Sequence, residues 1–161
     1  MAETCVVNAS PLILLDGGGL LSILKGSFSN VLVPQEVSRE VLRGPVSGDL
    51  SILLTSPSWI LTKDAPPPPD SILVWDLGPG ETAVLSYALR HAGVTAVVDD
   101  LLARRCANSL GLPISGTLGM VLAAKQRGEI RSAREVLETL RQNGMHLSDR
   151  VMNRALALVG E

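Results

Sequence analysis

The sequence predicts an α/β fold: a three-layer sandwich with a central parallel sheet and a helical C-terminal tail. Short, uninterrupted apolar runs such as Thr4 to Val7, Asn30 to Val33 and Val94 to Val98 alternate with stretches of helical period. That is the pattern of parallel strands buried on both faces and joined by crossover helices. The last third of the chain reads as consecutive helices with no strand between them. With 161 residues, 46% of them hydrophobic, there is material for one core, so residues 1–161 are expected to form a single domain.

Thr4-Cys5-Val6-Val7 reads as a short buried strand. Asn8-Ala9-Ser10-Pro11 opens a helical stretch, Leu12 to Leu15. Gly17-Gly18-Gly19 interrupts it and acts as a hinge before a second helical piece from Leu20 to Lys25. Asn30 to Val33 is the next strand. Pro34 is expected at the first helical position, where its missing N–H costs nothing, and the helix it opens runs from Gln35 to Arg43. Residues 48–62 read as a short helix and then a strand through Trp59-Ile60-Leu61. Ala65 to Asp70, with its run of prolines, is a stiff, extended surface connector. Gly80 to His91 is helical, Val94 to Val98 a strand, Asp100 to Leu110 helical, and Leu112-Pro113-Ile114 a further short strand. Helices follow at 117–127, 132–142 and 148–158. Gly111, Gly128 and Gly144 end helices as C′ residues do, and Ser132-Ala133-Arg134-Glu135 has the layout of a capping box. Val136, Leu137 and Leu140, with Val151, Ala155 and Leu158, are expected to dock the last two helices on their own domain.

Composition limits the function. There are 14 Lys+Arg against 16 Asp+Glu, a net charge of −2. The only aromatics are Phe28, Trp59, Trp75 and Tyr87. A basic stripe or base-stacking platform is therefore absent from the sequence, and nucleic acid is expected as a transient substrate. Charged residues at 19% and a mean hydropathy of +0.30 exclude an intrinsically disordered chain. No apolar run approaches the roughly 18 residues of a membrane span. The N-terminus lacks a signal-peptide layout, so a cytoplasmic protein without membrane contact is expected. Cys5 and Cys106 fall in apolar interiors and read as reduced and buried; with His91 and His146 they make no zinc ligand set.

Two acids do not fit a solvated surface. Advancing 100° per residue from Glu81 brings Val84, Leu85, Ala88, Leu89 and Ala92 within about 80° of it on the wheel. The same arithmetic from Asp99 gathers Leu102, Ala103, Cys106, Ala107 and Leu110, and Asp99 also ends an apolar strand. Acids on inward faces are costly unless compensated. A helix N-terminus does this for one acid at roughly 0.3–1 kcal/mol, but two acids near the carboxyl edge of a parallel sheet point to a joint site, because ligands bind at that edge. Glu40 borders the Val37/Val41 stripe and gains weight only in their company; alone it would be a solvated residue or a partner of Arg43. Asn8 ends the first strand, either as a helix cap or as a site residue.

Val6-Val7-Asn8-Ala9-Ser10-Pro11-Leu12-Ile13, Val33-Pro34 to Glu40-Val41, Leu77-Gly78-Pro79-Gly80-Glu81-Thr82-Ala83, Val97-Val98-Asp99-Asp100 through Arg104, and Ser115-Gly116-Thr117-Leu118-Gly119 occur in that order. In this the chain resembles PIN-domain proteins, the fold of many toxin ribonucleases of toxin–antitoxin pairs, and most closely a short PIN-like branch of mostly unassigned function. The resemblance covers nearly the whole chain. It implies a Mg2+ or Mn2+ site with Asn8 in the first acid place, Glu40 in the second, Glu81 in the third and Asp99 in the fourth, Asp100 adjoining. Ser10 and Thr117 would be hydroxyl positions beside the metal or its water. Most active PIN nucleases carry aspartate where this chain has Asn8, which keeps a carbonyl oxygen but no charge.

The implied activity is hydrolytic cleavage of RNA, with Glu81 and Asp99 as principal ligands and Glu40 positioning or deprotonating the water. Magnesium suits such a site, since it takes oxygen ligands and few carboxylates, and grouped acids call for a divalent counter-charge. Arg104 is spaced for an i,i+4 ion pair with Asp100, or for contact with substrate phosphate. An antitoxin partner and a homodimer belong to the same expectation. The competing reading is a non-catalytic PIN-like module that binds a partner protein, which Asn8 favours. Three other patterns are set aside. The Gly17-Gly18-Gly19 run lacks the last glycine of a dinucleotide fingerprint. Ser22-Ile23-Leu24-Lys25 lacks the companion motifs of penicillin-recognising enzymes. A receiver-like phospho-acceptor domain has no matching acceptor aspartate or lysine.

Overall fold

The computed structural model describes residues 3–161. Strands β1 (Thr4–Val7), β2 (Asn30–Pro34), β3 (Ile60–Lys63), β4 (Thr95–Val97) and β5 (Ile114–Ser115) form one sheet in the order β3-β2-β1-β4-β5. Every pairing is parallel, with Val6 opposite Leu32 on one side and Ala96 on the other. Consecutive residues of a strand point to opposite faces. Cys5, Val6 and Val7 are all fully buried, so helices cover both faces of β1. The chain leaves β1 toward β2 and β3, then returns to lay down β4 and β5 on the other side. The strand order therefore reverses between β1 and β4, and the crevice outside the carboxyl ends of those strands is where open α/β sheets bind ligands.

Helices α1 (Ala9–Gly17) and α2 (Leu21–Ser27) follow β1, hinged at Gly19, whose φ is +68°. Then come α3 (Gln35–Arg43), α4 (Gly48–Thr55), α5 (Asp70–Leu73) and α6 (Pro79–Arg90). Helix α7 (Leu101–Ser109) connects β4 to β5, and the tail is α8 (Thr117–Gln126), α9 (Ala133–Gln142) and α10 (Asp149–Ala157). Helix α6 packs on β1, β2 and β4, and buries Val84, Leu85 and Ala88 there. Gly111, Gly128 and Gly144 have φ of +68°, +77° and +105°, the left-handed conformation that ends a helix cheaply only at glycine. Both cysteines are free and buried, and burial pushes the Cys5 thiol up to about 12, which keeps it protonated and inert. Among the described residues no helix is long and apolar enough to cross a membrane.

Several local expectations are corrected. Pro34 is the last residue of β2 and the N-cap of α3, with ψ 150°, one position earlier than expected. The proline run leads directly into the single-turn helix α5, which buries Ile72. Helix α7 begins at Leu101 with Asp100 as its cap, so Asp99 lies outside the helix and its direction is set by the strand end. On α10, Met152, Ala155 and Leu156 are buried, whereas Val151 and Leu158 are 45% and 74% exposed and do not dock. At the start of α9 Ser132 accepts from the Glu135 N–H as expected.

The other first-turn donors of α9 go to Glu161. Its carboxylate accepts from the Ala133 N–H at 2.6 Å, the Arg134 N–H at 3.2 Å and the Ser132 hydroxyl at 3.0 Å. These bonds, led by that from Ala133, and the nearby Lys125 hold the carboxyl down at about 2. A depressed folded pKa means that the stabilisation is complete above the ordinary value of 4.5 and drains away as pH falls through 2. Replacing Glu161 by Gln should therefore lower Tm at pH 7. Melting curves from pH 7 to 2 should show the gap between variant and wild type narrowing below pH 4.5; a constant gap would refute the clamp.

Candidate active site

Of the polar side chains singled out in the sequence, Asn8, Ser10, Glu81, Asp99 and Asp100 line a cavity at the reversal point of the sheet, and Glu40 does not. Asn8 directly follows β1, and its N–H donates to Val97 O at 3.0 Å, so the residue stays tied to the end of β4. Asp99 stands two residues beyond β4, just past Val98, whose N–H still pairs with Ser115 O of β5 at 3.0 Å. Parallel pairing thus forces Asn8, Asp99 and the residues after β5 into neighbouring positions. Glu81 arrives from α6, which opens with Gly78 as N-cap and Pro79 at the first position, putting Glu81 in the first turn, where the helix dipole favours an acid.

Asn8 occupies the cap position of α1 but makes no side-chain cap bond. Its Nδ2 instead donates to Glu81 Oε1 at 3.1 Å. That bond fixes the amide: a flipped Asn8 would set its oxygen against a carboxylate oxygen. Oδ1 is left buried and without a partner, an expensive condition for an amide oxygen in a residue only 2% exposed. Asp99 is held from one side by Thr117, whose N–H donates to Oδ1 at 2.8 Å and whose hydroxyl donates to Oδ2 at 2.6 Å. Thr117 is fully buried, so its hydroxyl serves the carboxylate and is not a free position beside a water.

Asn8, Ser10, Glu81, Asp99, Asp100 and Arg104 line one cavity of about 810 Å3, together with apolar residues of α8 and of the α9–α10 connection. Glu40 is not among its lining residues. It is exposed on α3; a Cβ on Gly80 would lie 2.9 Å from Glu40 Oε2 and 3.1 Å from Asn8 Oδ1. Asp100 is exposed and spends Oδ2 as the cap of α7, accepting from the Ala103 N–H at 2.9 Å. Ser10 is exposed at the cavity surface. The expected Asp100–Arg104 ion pair is absent, since Arg104 Nη1 donates to Val98 O at 2.9 Å. Nor does Glu40 pair with Arg43; the ion pair on α3 is Glu36 with Arg39 at 3.9 Å.

Of the expected set of Asn8, Glu40, Glu81, Asp99 and Asp100, all but Glu40 line the one cavity. Among the described residues no three His, Cys, Asp or Glu side chains form a metal-binding group. What lies together is narrower: Glu81 and Asp99, neither in an ion pair, line one cavity with Asn8, whose Oδ1 is buried and without a partner. This donor set fits magnesium or manganese, hard oxygen-seeking ions that keep most of their waters and need one or two fixed carboxylates.

Space at this corner is made by glycines whose role the sequence reading did not identify. A Cβ on Gly78 would lie 2.6 Å from Glu81 Oε2. One on Gly116 would lie 2.7 Å from Arg104 Nη1 and 3.0 Å from Asp99 Oδ1. Gly78, Gly80 and Gly116 all have ordinary backbone angles, so the demand is for room. Their recurrence beside Glu81 and Thr117 was the available signal. Met145, His146 and Leu147 also line the cavity, and nothing in their local sequence marks them.

Replacing Asn8 by Asp should set two carboxylates about 3 Å apart in a buried corner, raising the pKa of the pair. A raised carboxyl pKa costs stability above its unfolded value, so the variant should lose about 1–3 kcal/mol at pH 7 without metal. Denaturation at pH 7 and pH 4 tests this: the deficit should shrink at the lower pH and on addition of Mn2+.

A search of curated proteins finds no match to the chain. A family profile described as a PIN domain matches residues 4–161, and the chain accordingly belongs to the PIN-domain family.

Proposed function

We propose that this protein is a metal-dependent ribonuclease that hydrolyses RNA phosphodiester bonds at the corner formed by Asn8, Glu81 and Asp99. PIN domains are usually ribonucleases and generally depend on a divalent metal. One observation carries the reading for this chain. Asn8, Glu81 and Asp99, from three distant stretches, line a single cavity at the reversal point of the sheet, with no Lys or Arg ion-paired to the two acids, and the Asn8 amide oxygen is buried without a partner. Such a group lacks its counter-charge, and a divalent cation supplies one.

A bound Mg2+ or Mn2+ would orient the phosphodiester, lower the pKa of a water and stabilise the developing negative charge. Glu81, Asp99 and Asn8 Oδ1 would hold it. Thr117 keeps both oxygens of Asp99 in place, and Asn8 Nδ2 does the same for one oxygen of Glu81. Glu40, exposed on α3 with Oε2 beside Gly80, would position or deprotonate the attacking water. Asp100 is tied to α7 and acts at the rim, as does the hydroxyl of Ser10.

A second reading, a PIN-like module that binds a protein and does not cut RNA, is favoured by the neutral Asn8 and by the lack of a third converging acid among the described residues. A toxin–antitoxin role stands between the two readings. Exposed Val151 and Leu158 on α10 offer a protein partner apolar contact.

Thermal melting with increasing Mn2+ separates the two. Stabilisation that disappears in Asp99→Ala is expected for the nuclease; no shift in either protein would leave the binding module. Metal-dependent cleavage of RNA should fall on the order of 100-fold or more in Glu81→Gln. It should rise in Asn8→Asp, which restores a charged ligand; a decrease there would remove Asn8 from the ligand set.

A further inference from the structure

We infer that the cavity beside the acidic corner seats one base of the RNA, with Arg104 on the adjoining phosphate, so that Leu118, Leu122, Met145 and Leu147 set which base lies next to the cut. The inference rests on the nuclease reading above and gives it a specificity site. Arg104 supplies the anion contact. It is half-buried, forms none of the ion pairs among the described residues, and lines the cavity beside Asp99. Its Nη1 bond to Val98 O fixes the guanidinium and leaves further N–H donors for a phosphate oxygen. An arginine held by a backbone carbonyl keeps its whole charge, unlike one neutralised by a carboxylate.

The apolar part of the same cavity supplies the base contact. Leu118 and Leu122 come from α8 and Met145 and Leu147 from the α9–α10 connection, and all of them are half-buried. Their surface is continuous with the polar corner in one space of about 810 Å3. That lies within the roughly 300–1,000 Å3 of a small-ligand pocket and is short for the groove a partner helix would need. A nucleotide is the portion of RNA that joins an anion to a flat ring with apolar faces, and this cavity joins a free cation to an apolar lining. The only ring among its lining residues is the imidazole of exposed His146. Base recognition here works by shape against aliphatic and thioether groups, with His146 able to hydrogen-bond a base edge, and without aromatic stacking.

The test uses methyl-labelled full-length protein in EDTA with AMP, GMP, CMP, UMP or inorganic phosphate, followed by NMR. At least one nucleotide should shift the methyls of Leu118, Leu122, Met145 and Leu147 and bind about tenfold tighter than phosphate. Arg104→Gln should weaken that nucleotide about tenfold, and Met145→Ala should change the order of preference among the four bases. Phosphate binding as tightly as every nucleotide, or methyls unmoved by all four, would overturn the subsite and leave the cavity to a protein partner. The readout needs neither metal nor turnover. Nucleotide binding by a protein that cuts no RNA keeps the subsite and removes the nuclease; cleavage with unmoved methyls does the reverse.

Discussion

The site depends on the two hydrogen bonds that Thr117 gives Asp99. They come from the N–H and the hydroxyl of one residue, which is fully buried at the start of α8, and they reach both oxygens of the carboxylate. Asp99 itself has no helix to orient it, because α7 begins two residues later. Its direction is inherited from the β4–β5 pairing, which carries Val98 alongside Ser115 and so delivers Asp99 opposite Thr117. Sheet register, carboxylate orientation and the position of α8 are therefore one constraint. Each oxygen of Asp99 keeps a lone pair after these bonds, so a carboxylate fixed in this way can still face a cation.

Asn8 resolves an electrostatic conflict on the opposite side of the corner. An aspartate at that position would place a second negative oxygen near 3 Å from Glu81 in a half-buried corner, a repulsion that a cation or a shared proton relieves. The amide replaces that repulsion with a hydrogen bond, so the corner is stable when empty. The consequence is a weaker pull on any ion, since a carbonyl contributes a dipole where a carboxylate contributes a charge. The remaining Oδ1 stays buried and without a hydrogen-bond partner. An asparagine recruited only as a helix cap would accept a first-turn N–H, and Asn8 does not.

Where the fold follows from local chemistry, the sequence was sufficient. Strands β1, β2 and β4, the hinge at Gly19 and the glycine stops at 111, 128 and 144 are each dictated by periodicity or by a backbone angle and stand close to where expected, whereas β3 and β5 lie one to two residues later than Trp59–Leu61 and Leu112–Ile114. The wheel argument held in part for Glu81, in the first turn of a helix whose Val84, Leu85 and Ala88 are buried, whereas Leu89 is exposed and Ala92 lies exposed beyond the helix end. For Asp99 it gave the inward direction through the wrong element. Partner choice was harder to read. Arg104 has Asp100 four residues away but donates to Val98 O, because Asp100 is already the cap of α7. The donors at the start of α9 find Glu161, far along the chain, where a local capping box was the nearer inference. The α9–α10 connection enters the cavity by tertiary packing alone, and a sequence carries no periodic signal for that.

Absence of atoms shapes the corner as much as the groups present. Gly78, Gly80 and Gly116 stand within 3 Å of polar side-chain atoms at the point where any other residue would carry a Cβ, and all three have backbone angles open to any residue. At Gly80 the displaced atom would be the far end of exposed Glu40, which can move. At Gly116 it would include Asp99 Oδ1, which Thr117 holds and which cannot move without breaking two hydrogen bonds. A methyl group there would therefore act on the carboxylate and on Arg104 together, the two groups that the proposed chemistry needs side by side. The glycines in the Gly78-Pro79-Gly80-Glu81 and Ser115-Gly116-Thr117 stretches are thus tied to site geometry and not to chain flexibility.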